Sequence, residues 1–315
     1  MFRRKYAWAV FYTLVLTAFT VYAALDTFVI SRVYAAVPPA ESSQGASGEE
    51  QPSGAEGDAA GAESGEAAPA EPVITENSYS DGAISVTITQ YREHETDIYV
   101  ADVRLSSPDQ LKTALAQNAY GRNVTQKTSE MAEAAGAILA VNGDYYGSQE
   151  QGYVIRGGVL YRDAPAQGRE DLVIYEDGSF AVVSEEEVTA QQLLEDGAVQ
   201  VLSFGPALVE EGAVSVSPDD EVGKSMASNP RTAIGAVDGL HYLFVVSDGR
   251  TEESQGLSLY QLAEFMESLG ASTAYNLDGG GSSTLWFCGS VINNPTTNGR
   301  TIGERSVSDI VYIGY

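Results

Sequence analysis

The chain has 315 residues, with 17 Lys and Arg against 44 Asp and Glu, and a formal net charge of −27. A surface this acidic excludes nucleic acid and docking on anionic lipid headgroups as partners, since both need basic patches. A single cysteine, Cys288, rules out an internal disulfide and a Cys-based zinc site, and with only His94 and His241 a multi-His metal centre is also excluded.

Arg3, Arg4 and Lys5 precede an apolar run from Tyr6 to Leu25. As a helix this run spans roughly 30 Å, enough for a bilayer core. The basic flank predicts an N-terminus inside the cell. Residues 1–30 are therefore read as a basic tip and a single-pass anchor in the cell membrane, with the rest of the chain extracytoplasmic. A cleaved and secreted product is the alternative, because Val33-Tyr34-Ala35-Ala36 offers small residues to a signal peptidase. Residues 31–77 are read as an acidic linker rich in Ala, Gly, Ser and Glu, with no aromatic residue between Val37 and Pro72. Such a composition cannot bury enough apolar surface to offset its ordering entropy, so disorder is expected. As a flexible coil it reaches roughly 30–35 Å and holds the domain clear of the membrane.

Residues 78–315 read as the globular domain. Ala83–Thr89 and Asp97–Leu105 alternate with period two and suggest paired strands. Leu111–Ala119 reads as helical, and Thr128–Ala135 as a second helix with Thr128 or Ser129 as N-cap. A strand over Ala137–Val141 follows and runs into Asn142-Gly143-Asp144-Tyr145-Tyr146. Val154–Tyr161 and Leu172–Val183 read as hairpins, the second turning at Asp177-Gly178. Gln191–Glu195 reads as a short helix, Leu240–Val246 as a strand, and Ser258–Leu269 as an amphipathic helix stopped by Gly270. Helices and strands do not alternate regularly, so the fold class is α+β, mixed sheets with a few packed helices.

Asn276–Thr284 reads Asn-Leu-Asp-Gly-Gly-Gly-Ser-Ser-Thr between two buried-strand runs. Three consecutive glycines cost backbone entropy and suit a place where backbone approaches a ligand, or where several N–H groups point at one anion. A Gly-rich hairpin turn is the alternative reading. A phosphate-binding P-loop is excluded because its Lys is missing.

Asn-Gly-Asp-Tyr-Tyr at 142–146, Arg-Thr-Ala-Ile-Gly at 231–235, Asp-Gly-Arg at 248–250, the Asp-Gly-Gly-Gly-Ser-Ser-Thr string from Asp278 and Glu304-Arg305 occur in this order. Together they resemble the phosphodiester glycosidase family over about Ala137–Tyr315. Two departures stand out: Asp144-Tyr145 where the family often has Gly-Phe, and Ser306 where it usually has Pro. The resemblance implies a hydrolase that cleaves the glycosidic C–O bond of a sugar-1-phosphodiester in envelope or exopolysaccharide glycans. A non-catalytic glycan- or phosphate-binding module is the alternative.

On that substrate, the phosphate monoester leaves readily, its second ionisation lying near pH ~6. The site then needs charge neutralisation on phosphate and a carboxylate facing the oxocarbenium ion. Asp278 is the first candidate for that carboxylate, Glu304 the second and Asp248 the third. Arg231 and Arg305 are the candidate phosphate clamps. Backbone N–H groups of Gly279, Gly280 and Gly281 are candidates for an anion cradle, with Ser282 and Asn142 beside them. Each has a plainer reading: Arg231 pairs with a surface acid, Asp248-Gly249-Arg250 forms a turn, and Asn142 ends its strand. Glu304 and Arg305 are adjacent, so only one is expected to face the site. Tyr145 and Tyr146 are core residues or a sugar-stacking platform. Asn123-Val124-Thr125 fits a glycosylation acceptor. No cofactor or metal is expected; a divalent ion on Asp144, Asp248 or Asp278 is the weaker alternative.

Overall fold

A computed structural model describes residues 6–37, 71–218 and 228–315. Most of the expected linker lies outside the described residues. Among those described, four α-helices accompany antiparallel sheets, which gives the α+β class. The helices are α1 (Ala7–Phe28), α2 (Thr128–Ala134), α3 (Ala190–Glu195) and α4 (Leu259–Ser268).

A nine-stranded sheet forms the centre, and its middle strands include Arg231–Ala236, His241–Ser247, Thr96–Leu105 and Ile84–Glu93. Period-two alternation gives this sheet two apolar faces. Tyr242, Phe244 and Val246 enter one core, while Leu243 and Val245 enter the other. The first core is shared with a five-stranded sheet through Leu139, Val141, Val311 and Ile313. The second is covered by α4 through Leu262, Phe265 and Met266. Ser258 and Gln261 start α4 with a reciprocal capping box. The outer face of the five-stranded sheet is covered by α2, where Met131 and Ala132 meet Trp286, Ile310 and Tyr312. The layers thus run α4, nine-stranded sheet, five-stranded sheet, α2. Truncating a fully buried side chain such as Leu262 to Ala would cost ~2–5 kcal/mol. A third sheet carries the hairpin of Glu170–Tyr175 with Phe180–Ser184, and α3 packs beside it.

Three readings need correction. Leu111–Ala119 is not an α-helix: Leu111–Leu115 is a strand paired with Asp309–Ile313, in register Leu111 to Ile313, and only Ala116–Asn118 forms a single 3-10 turn. Leu111 and Leu115 have helical spacing, but the last strand of the chain takes this segment as its neighbour, and tertiary pairing overrides local pattern. Next, α2 starts from Lys127 rather than from Thr128 or Ser129, and Lys127 makes no side-chain capping bond.

The third concerns the linker, which is not irregular throughout 31–77. Arg32–Ala36 is a strand paired with Ala119–Arg122 on the globular domain. Ser31 donates to the Asn123 carbonyl, and the Asn123 amide donates to the carbonyls of Thr27 (3.1 Å) and Ile30 (3.2 Å). Asn123 therefore caps the end of α1, which leaves its amide occupied in the Asn-Val-Thr triplet. No residue of α1 is buried, and its mean hydropathy is 1.7. The domain meets the end of this helix directly, without an intervening coil. Cys288 is a free, half-buried thiol, and burial raises its pKa.

Candidate active site

The Gly-rich stretch is not a hairpin. It carries the chain from Thr273–Asn276 in the nine-stranded sheet to Leu285–Phe287 in the five-stranded sheet. The crossing is braced on both sides. The Leu277 amide donates to the Thr232 carbonyl (2.8 Å), and the Asp278 amide to that of Gly143 (3.2 Å). Asn142 is fully buried: its amide donates to the Asp278 carbonyl (2.6 Å), and its oxygen accepts from the Thr232 hydroxyl (2.8 Å). Asn142 thus holds two strand ends together.

The three glycines are needed for space. A Cβ on Gly279 would lie 2.9 Å from the Pro230 carbonyl oxygen, and one on Gly280 would lie 2.7 Å from Arg250 Nη2. Gly280 also has φ +64°, in the left-handed region. Its N–H donates to the Pro230 carbonyl (2.8 Å), so this group is not free to join an anion cradle. That removes Gly280 from the N–H set expected from the sequence.

The polar heart of the loop is Asp278 with Ser282 and Arg305. The Ser282 hydroxyl donates to Asp278 Oδ2 (2.5 Å), and Arg305 Nη2 donates to the same oxygen (2.9 Å). Arg305 also donates to Ser282 Oγ from Nε (2.9 Å) and Nη2 (2.6 Å). Its guanidinium carbon lies 5.6 Å from the centre of the Tyr145 ring, within cation–π range. The side chain of Arg305 is 39% exposed and that of Asp278 is 9% exposed. Burial raises the Asp278 carboxyl above its ordinary pKa, against the opposing charge of Arg305 and the Ser282 hydrogen bond. The result is a shielded carboxyl beside a half-open guanidinium. Such a pair can hold an anion on one side and exchange a proton on the other.

The remaining candidates are committed elsewhere. Glu304 points away from Arg305 and accepts from the Ser129 amide (2.9 Å) and hydroxyl (2.6 Å), at the start of α2. Asp248 accepts from the Asn293 amide (3.1 Å), and from the backbone (2.8 Å) and side chain (3.0 Å) of Asn294. Asn293 also donates to the Ser283 carbonyl (2.9 Å), so Asp248 buttresses the exit of the Gly-rich loop. Arg231 is 5% exposed, with its Nε on the Leu257 carbonyl (3.0 Å) behind Gly279. Asp144, Asp248 and Asp278 are spread over three separate sets of partners. Among the described residues no group of three or more His, Cys, Asp or Glu is arranged to hold a metal ion.

Two features were not legible in the sequence. Tyr145, rather than the fully buried Tyr146, is the tyrosine beside the candidate site, and it sits at φ +63°. Its strained backbone leaves no local signal. Arg156 bridges Asp144 Oδ2 (2.9 Å) and Asp309 Oδ2 (2.7 Å) inside the protein. These residues are far apart in the chain, so no fixed spacing reveals them.

A family model described as phosphodiester glycosidase matches residues 135–314. The SPbeta prophage-derived uncharacterized protein YomE of Bacillus subtilis (strain 168) is 31% identical over 201 residues, which is 62% of this chain and 31% of that protein. The Bos taurus N-acetylglucosamine-1-phosphodiester alpha-N-acetylglucosaminidase is 28% identical over 184 residues, 53% of this chain and 34% of that one. The chain thus spans about a third of the length of these curated relatives. Among solved structures, the zebrafish catalytic domain of the same enzyme, auto-inhibited by its pro-peptide, superposes with a TM-score of 0.59 at 21% identity. The match covers 74% of this chain and 83% of that one. A hypothetical protein from Synechocystis superposes with a TM-score of 0.57 at 13% identity, covering 79% and 64%. Both structural likenesses concern the fold. With more than half of its length matched by the family model, the chain belongs to the phosphodiester glycosidase family.

Proposed function

We propose that this chain is a membrane-tethered, extracytoplasmic hydrolase that cleaves the glycosidic C–O bond of a sugar-1-phosphodiester in envelope or exopolysaccharide glycans. The observation that carries the reading is the half-open Arg305 guanidinium on the shielded Asp278 carboxyl, both tied to Ser282. The phosphodiester anion approaches the exposed side of Arg305, and the anomeric carbon lies toward Asp278. The bond from that carbon to the phosphate oxygen breaks, and the phosphate leaves with the electron pair as a monoester. Its low second pKa, near ~6, makes a strong acid unnecessary. Asp278, as carboxylate, stabilises the oxocarbenium ion and takes the proton of the water that bonds to the anomeric carbon. Relatives named for N-acetylglucosamine-1-phosphodiester supply the first sugar to try.

Tethering is supported by α1, whose 22 apolar-rich residues would span about 33 Å. Retention of that anchor is supported by the Arg32–Ala36 strand, because the small-residue peptidase site falls inside a paired strand. The test is the full chain in phosphatidylcholine nanodiscs, incubated with a panel of sugar-1-phosphodiesters beginning with N-acetylglucosamine. Released sugar and phosphate monoester are read by mass spectrometry. Release by the wild type and not by Asp278→Asn is expected. Undiminished release by Asp278→Asn would remove Asp278 from the reaction, and binding without release from any phosphodiester would make the domain a glycan-binding module.

A further inference from the structure

Of the two arginines that the sequence offers for holding phosphate, the fold leaves one accessible. Arg231 is 5% exposed, with its Nε on the Leu257 carbonyl, whereas the Arg305 side chain is 39% exposed. Arg305 is also bonded to Asp278, so the pair carries no net charge when Asp278 is ionised. A monoanionic phosphodiester facing a neutral pair gains little Coulomb attraction. A second positive group at the loop changes that balance, and Arg250 is placed to be one.

Arg250 is exposed, and its guanidinium lies on the Gly-rich loop: a Cβ on Gly280 would stand 2.7 Å from Nη2 and 3.2 Å from the guanidinium carbon. Arg305 Nη2 lies 3.4 Å from the Gly279 carbonyl oxygen, on the same Gly279–Gly280 peptide unit. Through these contacts the two Nη2 atoms are at most roughly 10 Å apart. A phosphate bridging two guanidinium groups by charge-assisted bonds of ~2.8 Å holds their nitrogens roughly 8 Å apart. The spacing therefore suits one phosphate. The Arg250 backbone is fixed: its N–H donates to the Gln255 carbonyl (3.2 Å), and its φ is +65°. A long side chain seldom adopts this left-handed backbone, and such strain collects at ligand clamps. Nη1 donates to the Thr297 carbonyl (2.8 Å), while Nε (3.3 Å) and Nη2 (3.2 Å) share the Asn229 side-chain oxygen. These bonds use one N–H on each nitrogen, and each Nη carries a second. All three acceptors are neutral. Among the described residues Arg250 enters no salt bridge, although Glu252 and Glu253 follow it in the chain. In a protein with 44 acids against 17 basic residues, an exposed arginine without a carboxylate is an uncompensated positive charge.

We propose that Arg250 is a second phosphate-binding residue of the candidate site, and that it grips the phosphodiester together with Arg305. This rests on the proposed cleavage of a sugar-1-phosphodiester and adds a substrate requirement to it. With Asp278 ionised, the two guanidinium groups and the carboxylate leave a net positive charge, which matches the single negative charge of a phosphodiester. An uncharged alkyl or aryl glycoside leaves that charge unanswered. The site therefore selects by the charge on the leaving group, and Arg250 sets that selection.

The test uses the full chain in phosphatidylcholine nanodiscs. The probes are the 1-(methyl phosphate) diesters of N-acetylglucosamine, glucose and mannose, with the uncharged methyl glycosides of the same sugars beside them. Binding to the Asp278→Asn protein, which should bind without turnover, is read by saturation-transfer NMR with titration. At least one diester is expected to bind. Adding Arg250→Gln should weaken that binding by about tenfold or more, the size of one lost charge-assisted contact, and flatten its salt dependence. Arg250→Lys, which keeps the charge, should recover part of the affinity. The methyl glycoside of the same sugar should bind more weakly than the diester, and equally in all three proteins. With Asp278 intact, Arg250→Gln should raise KM for the diester by about tenfold and leave kcat within a few-fold. Unchanged diester binding in Arg250→Gln would overturn the proposal. No recovery in Arg250→Lys, or an equal loss for the methyl glycoside, would also overturn it and make Arg250 a structural staple of the loop. The clamp and the hydrolase fail separately. Binding unaltered by Arg250→Gln, with release still abolished by Asp278→Asn, removes the clamp alone. Binding that depends on Arg250, with no sugar released by the wild type, removes the hydrolase alone, and binding of no diester removes both.

Discussion

Two of the carboxylate–guanidinium assemblies among the described residues share one chemistry and differ in burial. In Asp144–Arg156–Asp309 the arginine side chain is 4% exposed and both carboxylates are fully buried. Arg156 also donates to the carbonyls of Ile155 and Val201. It lies in the sheet that carries α3 and reaches Asp309 in the neighbouring five-stranded sheet, so it fastens two sheets and keeps no open face. Burial raises the Asp309 carboxyl, the charge of Asp144 raises it further, and Arg156 opposes both. In Asp278–Arg305 the guanidinium is 39% exposed and hydrogen-bonded along one side. The composition of an ion pair does not separate structure from function here. The open side of the guanidinium does.

The comparison would break first at Asp278. Asp278→Asn should lower sugar release by ~10²–10⁴-fold, the range of a lost general acid–base group. Melting should hardly change, because the Asn side-chain oxygen can still accept from Ser282 and Arg305, and the Arg305 side chain is 39% exposed to water. Loss of folding in this variant would place Asp278 with the structural acids. Arg156→Leu should do the opposite. It strands two carboxylates in the interior and should cost ~3–5 kcal/mol in urea unfolding. Because the Asp309 carboxyl is raised, lowering the pH should neutralise it and recover part of that loss. A loss that is the same at pH 5 and pH 8 would rule out stranded charge as the cause.

What the sequence revealed follows from how local each interaction is. Period two in Ala83–Thr89 and Asp97–Leu105 marked two strands that pair through ten positions, and Ser258 with the stripe from Leu259 to Met266 marked α4. The Asp278 loop announced itself through its glycines, and Ser282 and Arg305 do meet Asp278. The Leu111–Leu115 strand was hidden because its partner is the last strand of the chain. The Arg156 bridge was hidden because its ligands come from three segments. Which carboxylates were already spoken for was equally invisible, since the hydrogen bonds of Asp248 and Glu304 are all long-range.

Asp171 extends the contrast to a buried acid without an arginine. It lies in the Glu170–Tyr175 strand and is fully buried beside Glu185 and Ser203. Burial, followed by the charge of Glu185, pushes its pKa up to about 9. The unfolded value is ~3.9, so the folded state holds the proton more tightly. The stability this gives is full below pH ~4, falls as pH rises, and is gone above about 9. Asp171→Asn, uncharged throughout, should therefore gain on the wild type from pH 6 to 9, by at most about 1.4 kcal/mol per pH unit. Parallel melting curves for the two proteins over that range would refute the assignment.

The smallest effect expected is at Glu304, and it tests how sharply the two kinds of acid are divided. Glu304 neighbours Arg305 in sequence, yet its carboxylate serves the first turn of α2, where Lys127 provides no cap. A carboxylate at a helix N-terminus satisfies orphan N–H groups and meets the positive end of the helix dipole. Glu304→Ala should cost ~0.5–2 kcal/mol, as loss of a cap does, and Glu304→Gln less, because one acceptor oxygen remains. Since the Arg305 backbone donates to the Gly281 carbonyl (3.2 Å), Arg305 keeps an independent hold on the loop when Glu304 is replaced. Turnover by Glu304→Gln should therefore stay within a few-fold of wild type, roughly the effect of 1 kcal/mol. A hundredfold loss of turnover with an unchanged melting temperature would move Glu304 from the helix cap into the reaction beside Asp278.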